Sequence, residues 1–185
     1  NLHTMTAILL ICGSTRRGSS NRAALDTAAT VAPPGVTTSF YEGLTGLPHF
    51  NPDLDQPPLP EPVRQLRSAI EGAGAVLFCT PEYAGALPGS LKNVLDWTVG
   101  GIETSGKPCG WVNVSPAPSA AAGAHAELAT VLRYTDARLV DAACLRLPVT
   151  RGEIGPDGLI TTTQTREALT HVLATLAAAT NQTES

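Results

Sequence analysis

The sequence predicts a three-layer α/β/α fold around a five-stranded parallel sheet, and three observations carry that expectation. Short apolar or β-branched runs alternate with longer amphipathic stretches along the chain. The runs at 7–12 and 75–80 are continuously apolar but for Thr80, as in strands covered on both faces. The 185 residues hold no internal repeat and no interdomain linker, so one sheet must take all five runs. Right-handed crossovers between parallel strands then set helices on both faces.

The first strand is expected at 7–12 and meets Gly13 at once. A helix follows at 21–31, rich in Ala and ended by Pro33-Pro34-Gly35. Residues 36–41 are β-branched and aromatic, a second strand. The stretch 42–60 is dense in Gly, Pro and Asp without periodicity and reads as a long loop, a kind of segment that is more often functional than idle. A helical pattern returns at 61–71, where Val63, Leu66 and Ile70 are spaced by three and four, and Gly72 and Gly74 close it. The third strand, 75–80, stops at Pro81. Residues 88–98 read as a helix with Pro88 in its first turn, where a missing N–H costs little. A fourth strand is expected at 110–115, a fourth helix at 120–134 and a fifth strand at 138–147, broken by Pro148. Gly155-Pro156-Asp157-Gly158 is a surface turn before a closing helix at 161–179. Residues 1–5 are read as leftover cloning sequence and the domain start, 6–180 as one domain, and 181–185 as a polar tail.

Hydrophobic residues make up 43% and charged residues 15%, which excludes a disordered chain and a coiled coil. A net charge of −4 argues against a general nucleic-acid binder. No apolar run reaches the length of a bilayer span and no secretory signal is seen, so no membrane partner is expected. Cys12, Cys79, Cys109 and Cys144 form no CxxC pair, which removes the zinc-site and thioredoxin-like readings and suits a reducing, cytoplasmic compartment. Cys12 and Cys79 each close an apolar run. They read as small buried hydrophobes, or as a redox-sensitive pair should the two strand ends be neighbours.

In a doubly wound sheet, ligands sit beyond the carboxyl ends of the strands where the strand order reverses. The loop after the first strand is Gly13-Ser14-Thr15-Arg16-Arg17-Gly18-Ser19-Ser20-Asn21, rich in hydroxyls and arginines at a helix amino terminus. Free backbone N–H groups and the positive end of the helix dipole favour an anion there, and hydroxyls and guanidinium groups suit phosphate oxygens. The bland alternative is a capped helix, with Ser20 or Asn21 as the ordinary cap. The spacing from Gly13 to Ser20 nearly matches a P-loop, but Ser19 stands where the lysine belongs, so a single terminal phosphate fits better than a triphosphate. GxGxxG, GxSxG and HExxH are all missing. The loop after the third strand, from Pro81 to Trp97, opens with a stiff turn in which Tyr83 offers a flat surface and Gly85 a close backbone approach. Phosphate in one loop and a planar ring in the next describe flavin mononucleotide (FMN).

On Gly13-Ser14-x-Arg16-x-x-Ser19-x-Asn21 and Pro81-Glu82-Tyr83-x-Gly85-x-x-Pro88-Gly89-x-Leu91-Lys92-Asn93-x-x-Asp96-Trp97, the sequence resembles the NADPH-dependent FMN reductases of flavodoxin-like fold, a family that includes quinone, azo-dye and chromate reductases. The resemblance implies that Ser14, Arg16, Ser19, Ser20 and Asn21 hold the FMN phosphate. It also implies that Pro81, Glu82, Tyr83, Ala84 and Gly85 line the isoalloxazine ring, with Ser115 from the next loop. Ala84 stands where the family often has asparagine. The segment from Ser115 to Gly123, rich in Pro and Ala, replaces a loop that is usually glycine-rich.

The expected activity is hydride transfer from NADPH or NADH to bound FMN. Two-electron reduction of a small acceptor then follows in a ping-pong cycle, the acceptor being a flavin, quinone, azo compound or metal oxyanion. No side-chain nucleophile and no metal are required. Arg17 is a candidate partner for the 2′-phosphate of NADPH. The alternatives are a flavodoxin-like one-electron carrier and a flavin-binding accessory protein without reductase activity. The family resemblance implies a homodimer or tetramer in which a neighbouring chain completes the ring pocket, and the loop from Leu47 to Asp53 is the candidate for that neighbourhood. Of the histidines, His3 falls in the leading remnant and His171 in the last helix, while His49 and His125 read as solvated or capping, with an approach to substrate as the alternative. Trp97 and Leu91 read as packing or subunit-contact residues.

Overall fold

The computed structural model describes residues 5–183. Its five strands are β1 (Thr6–Cys12), β2 (Val36–Phe40), β3 (Ala75–Cys79), β4 (Pro108–Asn113) and β5 (Arg138–Arg146), and its helices are α1 (Ser20–Thr30), α2 (Glu61–Glu71), α3 (Gly89–Asp96), α4 (Ala122–Tyr134) and α5 (Thr163–Thr180). The strands pair in the order β2-β1-β3-β4-β5, every pair parallel. Alternate residues of a strand point to opposite faces. Here both sets are apolar, so the sheet has to be covered twice. Leu9, Ile11, Val76 and Phe78 pack under Val63, Leu66 and Ile70 of α2, Leu91 and Val94 of α3, and Leu128 and Leu132 of α4. Ile8, Leu10 and Leu77 pack on the other face under Leu25 of α1 and Leu169, Val172 and Leu173 of α5. The strand order reverses between β1 and β3, so their carboxyl ends open the crevice in which such folds bind ligands.

Several boundaries differ from the sequence reading, each for a local reason. β4 spans 108–113 rather than 110–115, because Pro108 and Cys109 already pair with Arg138 and Leu139 and a first strand residue can dispense with its N–H. α3 begins at Gly89, with Pro88 as the cap residue outside it. α4 begins at Ala122 rather than 120, because Ala120 and Ala121 hold left-handed φ angles of 52° and 49°. The last helix runs from Thr163 to Thr180 rather than 161–179, and the polar Asn181–Thr183 continue it as a tight turn. The expectations for residues 1–4, His3 among them, and for 184–185 lie outside the described residues.

The long loop is stapled to α3. The Asn93 amide donates to Pro48 O (3.0 Å) and accepts from Phe50 N (2.8 Å), while Trp97 Nε1 donates to the same Pro48 carbonyl at 2.8 Å. The Phe50 and Trp97 rings meet edge to face at 5.0 Å. At the far end, Arg67 donates to Trp97 O and pairs with Asp55 at 2.8 Å, both side chains largely buried. Trp97 and Leu91 are therefore packing residues within the chain, fully buried.

Cys12 and Cys79 are register partners across β1 and β3, free and buried. The Cys79 thiol donates to Asn21 Oδ1 (3.4 Å) and the Cys12 thiol to Ser14 O (3.5 Å). Burial pushes both thiols up from their ordinary pKa, which disfavours the reactive thiolate. Their place is as weakly bonded floor beneath the loop that follows β1.

Candidate active site

The loop between β1 and α1 is shaped by two glycines and one serine. Gly13 passes so close to β3 that a Cβ there would stand 2.3 Å from Thr80 Oγ1, and its N–H donates to Cys79 O at 2.8 Å. Gly18 supplies a φ of 65° before the helix. The helix cap is Ser19, not Ser20 or Asn21: its oxygen accepts from Asn21 N at 3.1 Å and from the Asn21 amide at 3.4 Å, and the side chain is 2% exposed. That leaves the N–H groups of Ser20 and Arg22, ahead of the first intrahelical bonds, turned toward the crevice end of the helix. Arg16 and Arg17 are exposed, and among the described residues neither guanidinium has a hydrogen-bond or ion-pair partner. Ser14 Oγ accepts from Arg16 N at 3.3 Å and steadies the turn.

The two loops after β3 and β4 are tied to each other. Tyr83 and Ala86 exchange backbone bonds of 3.0 and 3.1 Å around Ala84 (φ 52°) and Gly85 (φ 75°), a two-residue turn of the kind that needs positive φ at both central positions. Glu82 Oε2 accepts from Ala124 N at 3.0 Å, and Glu127 Oε2 accepts from Leu87 N at 2.6 Å. A Cβ on Gly123 would lie 2.0 Å from Gly85 O. The loop after β4 hangs on Asn113, 7% exposed, which donates to Ala120 O (2.6 Å) and accepts from Ser115 N (3.1 Å). On its outer side Arg146 donates to Ala117 O at 3.4 Å.

A cavity of about 250 Å³ lies where these loops meet, at the carboxyl ends of β1, β3 and β4. Of the residues singled out from sequence, Arg16, Ser20, Asn21, Pro81, Glu82 and Ser115 line it. Ser14 lines a neighbouring cavity, and Ser19 is buried beneath the loop. Tyr83, Ala84 and Gly85 do not line it. Their turn closes on itself and projects outward, leaving Tyr83 52% exposed at the lip. Sequence reasoning missed Thr80, Val114, Pro116, Ala117, Ser119 and Ala121 on the wall. The Pro- and Ala-rich segment was the signal for most of these. His125, expected to be solvated or capping, is 7% exposed: it lies beside the Trp111 ring (5.6 Å between centroids), with Nδ1 2.8 Å from Ala121 O and Nε2 without a partner. Burial pulls its pKa below the ordinary histidine value.

The donor set suits a phosphate monoester joined to a flat ring. Two helix amino termini face the cavity, and Glu82 already fills that of α4, so the free N–H groups of α1 and the unpaired Arg16 remain for an anion. Pro81, Val114, Pro116 and Ala117 offer apolar wall beyond them. Among the described residues no cluster of side chains could hold a metal ion.

Fold and cavity together define a flavodoxin-like protein with an open cavity at its switch point. The model of the NADPH-dependent FMN reductases matches residues 6–148. An NAD(P)H-dependent FMN reductase of Pseudomonas aeruginosa is 31% identical over 171 residues, covering 91% of this chain and 92% of that protein. A 2-hydroxy-1,4-benzoquinone reductase of a Burkholderia species is 32% identical over 165 residues, covering 88% and 89%. Among solved structures, FerB of Paracoccus denitrificans, a flavoenzyme NAD(P)H:(acceptor) oxidoreductase, superposes with a TM-score of 0.84 at 26% identity, covering 96% of this chain and 98% of that one. The chain belongs to the NADPH-dependent FMN reductase family: it is an NAD(P)H-dependent FMN oxidoreductase.

Proposed function

We propose that residues 6–180 act as one FMN-binding domain that passes two electrons from NADPH or NADH to a small quinone-like acceptor in a ping-pong cycle. FMN, when bound, supplies the redox centre that takes a hydride from the nicotinamide and hands electrons to the acceptor. The protein's part is binding and orientation. The Ser20 and Arg22 N–H groups, the α1 dipole and Arg16 hold the phosphate, with the Ser20 hydroxyl and Asn21 beside it and Ser19 capping the helix from beneath; Ser14, on the neighbouring cavity, shapes the loop rather than touching the phosphate. Pro81 and Glu82 floor the ring, Ser115 and its neighbours wall it, and the turn at Tyr83, Ala84 and Gly85 forms the outer lip. No side chain serves as nucleophile.

The observation that carries this reading is the pairing of the N–H groups that the Ser19 cap leaves free at α1 with an apolar wall from two further strand ends around one cavity. The choice of a quinone draws on the relatives named as quinone reductases. A homodimer or tetramer follows from the family resemblance, and light scattering tests it. A cytoplasmic site accords with four free cysteines, and no described helix is long and apolar enough to cross a membrane.

The test begins with colour. Purified protein should be yellow, and Arg16→Ala should purify paler, because a charged hydrogen bond contributes roughly 1.5–3 kcal/mol, about tenfold to a hundredfold in affinity. Anaerobic NADPH should then bleach the flavin directly to its two-electron form, and a benzoquinone should restore the colour. Equal colour in both proteins refutes the role of Arg16, and slow, partial bleaching points to a one-electron carrier instead.

A further inference from the structure

A second cavity, of about 300 Å³, adjoins the first on the β2 side of the loop after β1, and Arg16 lines both. Its floor is Cys12 and Tyr41, and its walls are the loop residues Ser14 to Arg17 and the start of the β2–α2 connection at Glu42, Leu44 and Thr45. The charges on its rim are unequally committed. Arg22 donates to Asp26 (2.9 Å) and to both oxygens of Glu42 (2.9 and 3.0 Å) while covering the Phe40 ring at 4.1 Å, so its charge and that of Glu42 are spent on each other. Arg16 and Arg17 are free. In a chain of net charge −4, two adjacent unpaired guanidinium groups over hydroxyl-lined space make a local anion site. Beneath them the Tyr41 hydroxyl is buried without a partner, in a side chain only 9% exposed. Burial against Gly43 pushes its pKa up to about 12, so the floor of this cavity carries no charge that would oppose an anion.

We propose that this second cavity takes the phosphorylated ribose of NADPH, and that Arg17 is the residue that separates NADPH from NADH. The inference rests on the flavin reading above, since the nicotinamide must reach a ring held in the first cavity. It goes beyond that reading in assigning a separate site to the other end of the nucleotide. The chemistry required is that of a phosphate monoester, which the FMN phosphate shares, so the two sources have to be told apart. Arg16 borders both sites and cannot discriminate. Arg17 and Tyr41 border only the second.

The experiment uses FMN-loaded protein and two nucleotide fragments in calorimetry: adenosine 2′,5′-bisphosphate, which carries the distinguishing phosphate, and 5′-AMP, which lacks it. FMN affinity is measured separately by fluorescence quenching. Arg17→Ala should weaken the bisphosphate about tenfold or more, leave 5′-AMP as it is, and leave FMN affinity as it is. In steady-state kinetics, Arg17→Ala should lower kcat/KM for NADPH about tenfold more than for NADH. Equal bisphosphate affinity in wild type and Arg17→Ala overturns the proposal, as does an equal loss for both dinucleotides. Loss of FMN from Arg17→Ala would give the second cavity to the flavin phosphate instead, and also overturns it. A wild-type protein that takes no FMN overturns the functional reading itself, a result visible before any nucleotide is added.

Discussion

The two ends of the FMN site proposed above, its phosphate end at the β1–α1 loop and its ring end at the loops after β3 and β4, are built on different principles. At the phosphate end, short-range chemistry suffices: glycines where the chain must turn or pass closely, a serine capping its own helix two residues on, and amide N–H groups left over by helix geometry. At the ring end, the backbone is held where its residues would not go unaided. Ala84, Ala120 and Ala121 all have left-handed φ angles, which cost an L-residue roughly 1–2 kcal/mol each. They are held by ties from distant positions, Glu82 to Ala124, Glu127 to Leu87 and Asn113 to Ala120. The phosphate end is locally determined. The ring end exists only once the sheet and α4 are in place.

The largest expected effect strikes the ring end. Gly123 lies against the Gly85 carbonyl, where a methyl group would stand 2.0 Å from backbone oxygen. Gly123→Ala therefore has to move the turn or the helix, and overpacking of this kind costs about 1–3 kcal/mol. The melting temperature should fall by about 2–4 °C for each kcal/mol in a chain of this size. FMN and riboflavin should lose affinity together, since the damage is on the ring side. Loss of FMN alone would mean that the two ends are not independent.

The next effect is the converse. Ser19→Ala removes the cap of α1, worth about 1 kcal/mol, and loosens the loop that presents the free N–H groups. FMN should bind more weakly while riboflavin, which has no phosphate, binds as before. A parallel loss of riboflavin would contradict the separation.

This division also decides how much was legible in the sequence. α2 was read at its observed limits because Val63, Leu66 and Ile70 announce a face and Gly72 announces an end. The local build of the β1–α1 loop is legible because hydroxyls and glycines act within a few residues of where they stand. Even there the cap was assigned one or two residues late, since Ser19, Ser20 and Asn21 are each good caps and only the backbone decides among them. The loops after β3 and β4 are legible as strand ends but not in their shape. Nothing local marks Ala120 and Ala121 as left-handed, so α4 was begun two residues early. The family resemblance points to Glu82 as a ring residue, and its carboxylate also caps a helix 42 positions further along the chain. The roles of Asn93 and Asn113 as loop anchors depend on partners that only the fold supplies.

A smaller effect, and one of opposite sign, should come from relieving the strain. Ala84 projects into solvent, and glycine accepts its φ of 52° freely. Ala84→Gly should raise stability by about 0.5–1 kcal/mol, the gain in the native turn being partly offset by the freer unfolded chain. Thermal unfolding reads it directly. An unchanged or lower melting temperature would mean that the turn is not strained in the way its dihedral angles imply.

The smallest effect vanishes at neutral pH and belongs to His125. Desolvation lowers its pKa in the folded chain, outweighing the bond to Ala121 O and the nearby Glu82 charge, which act the other way. Above the unfolded value of 6.5 both states carry a neutral ring, and the residue contributes no pH dependence. As the pH falls below that value the unfolded chain takes up a proton that the folded one resists, so stability is lost from there down to the folded pKa and levels off beneath it. His125→Phe keeps a ring beside Trp111, and Ala121 O keeps its bond from the backbone N–H of residue 125. Denaturant titrations of the two proteins between neutral and mildly acid pH should diverge, with wild type losing stability more steeply. Parallel curves would mean that water or a rearranged α4 reaches Nε2 in solution, and that the ring end is less rigid than its network of ties suggests.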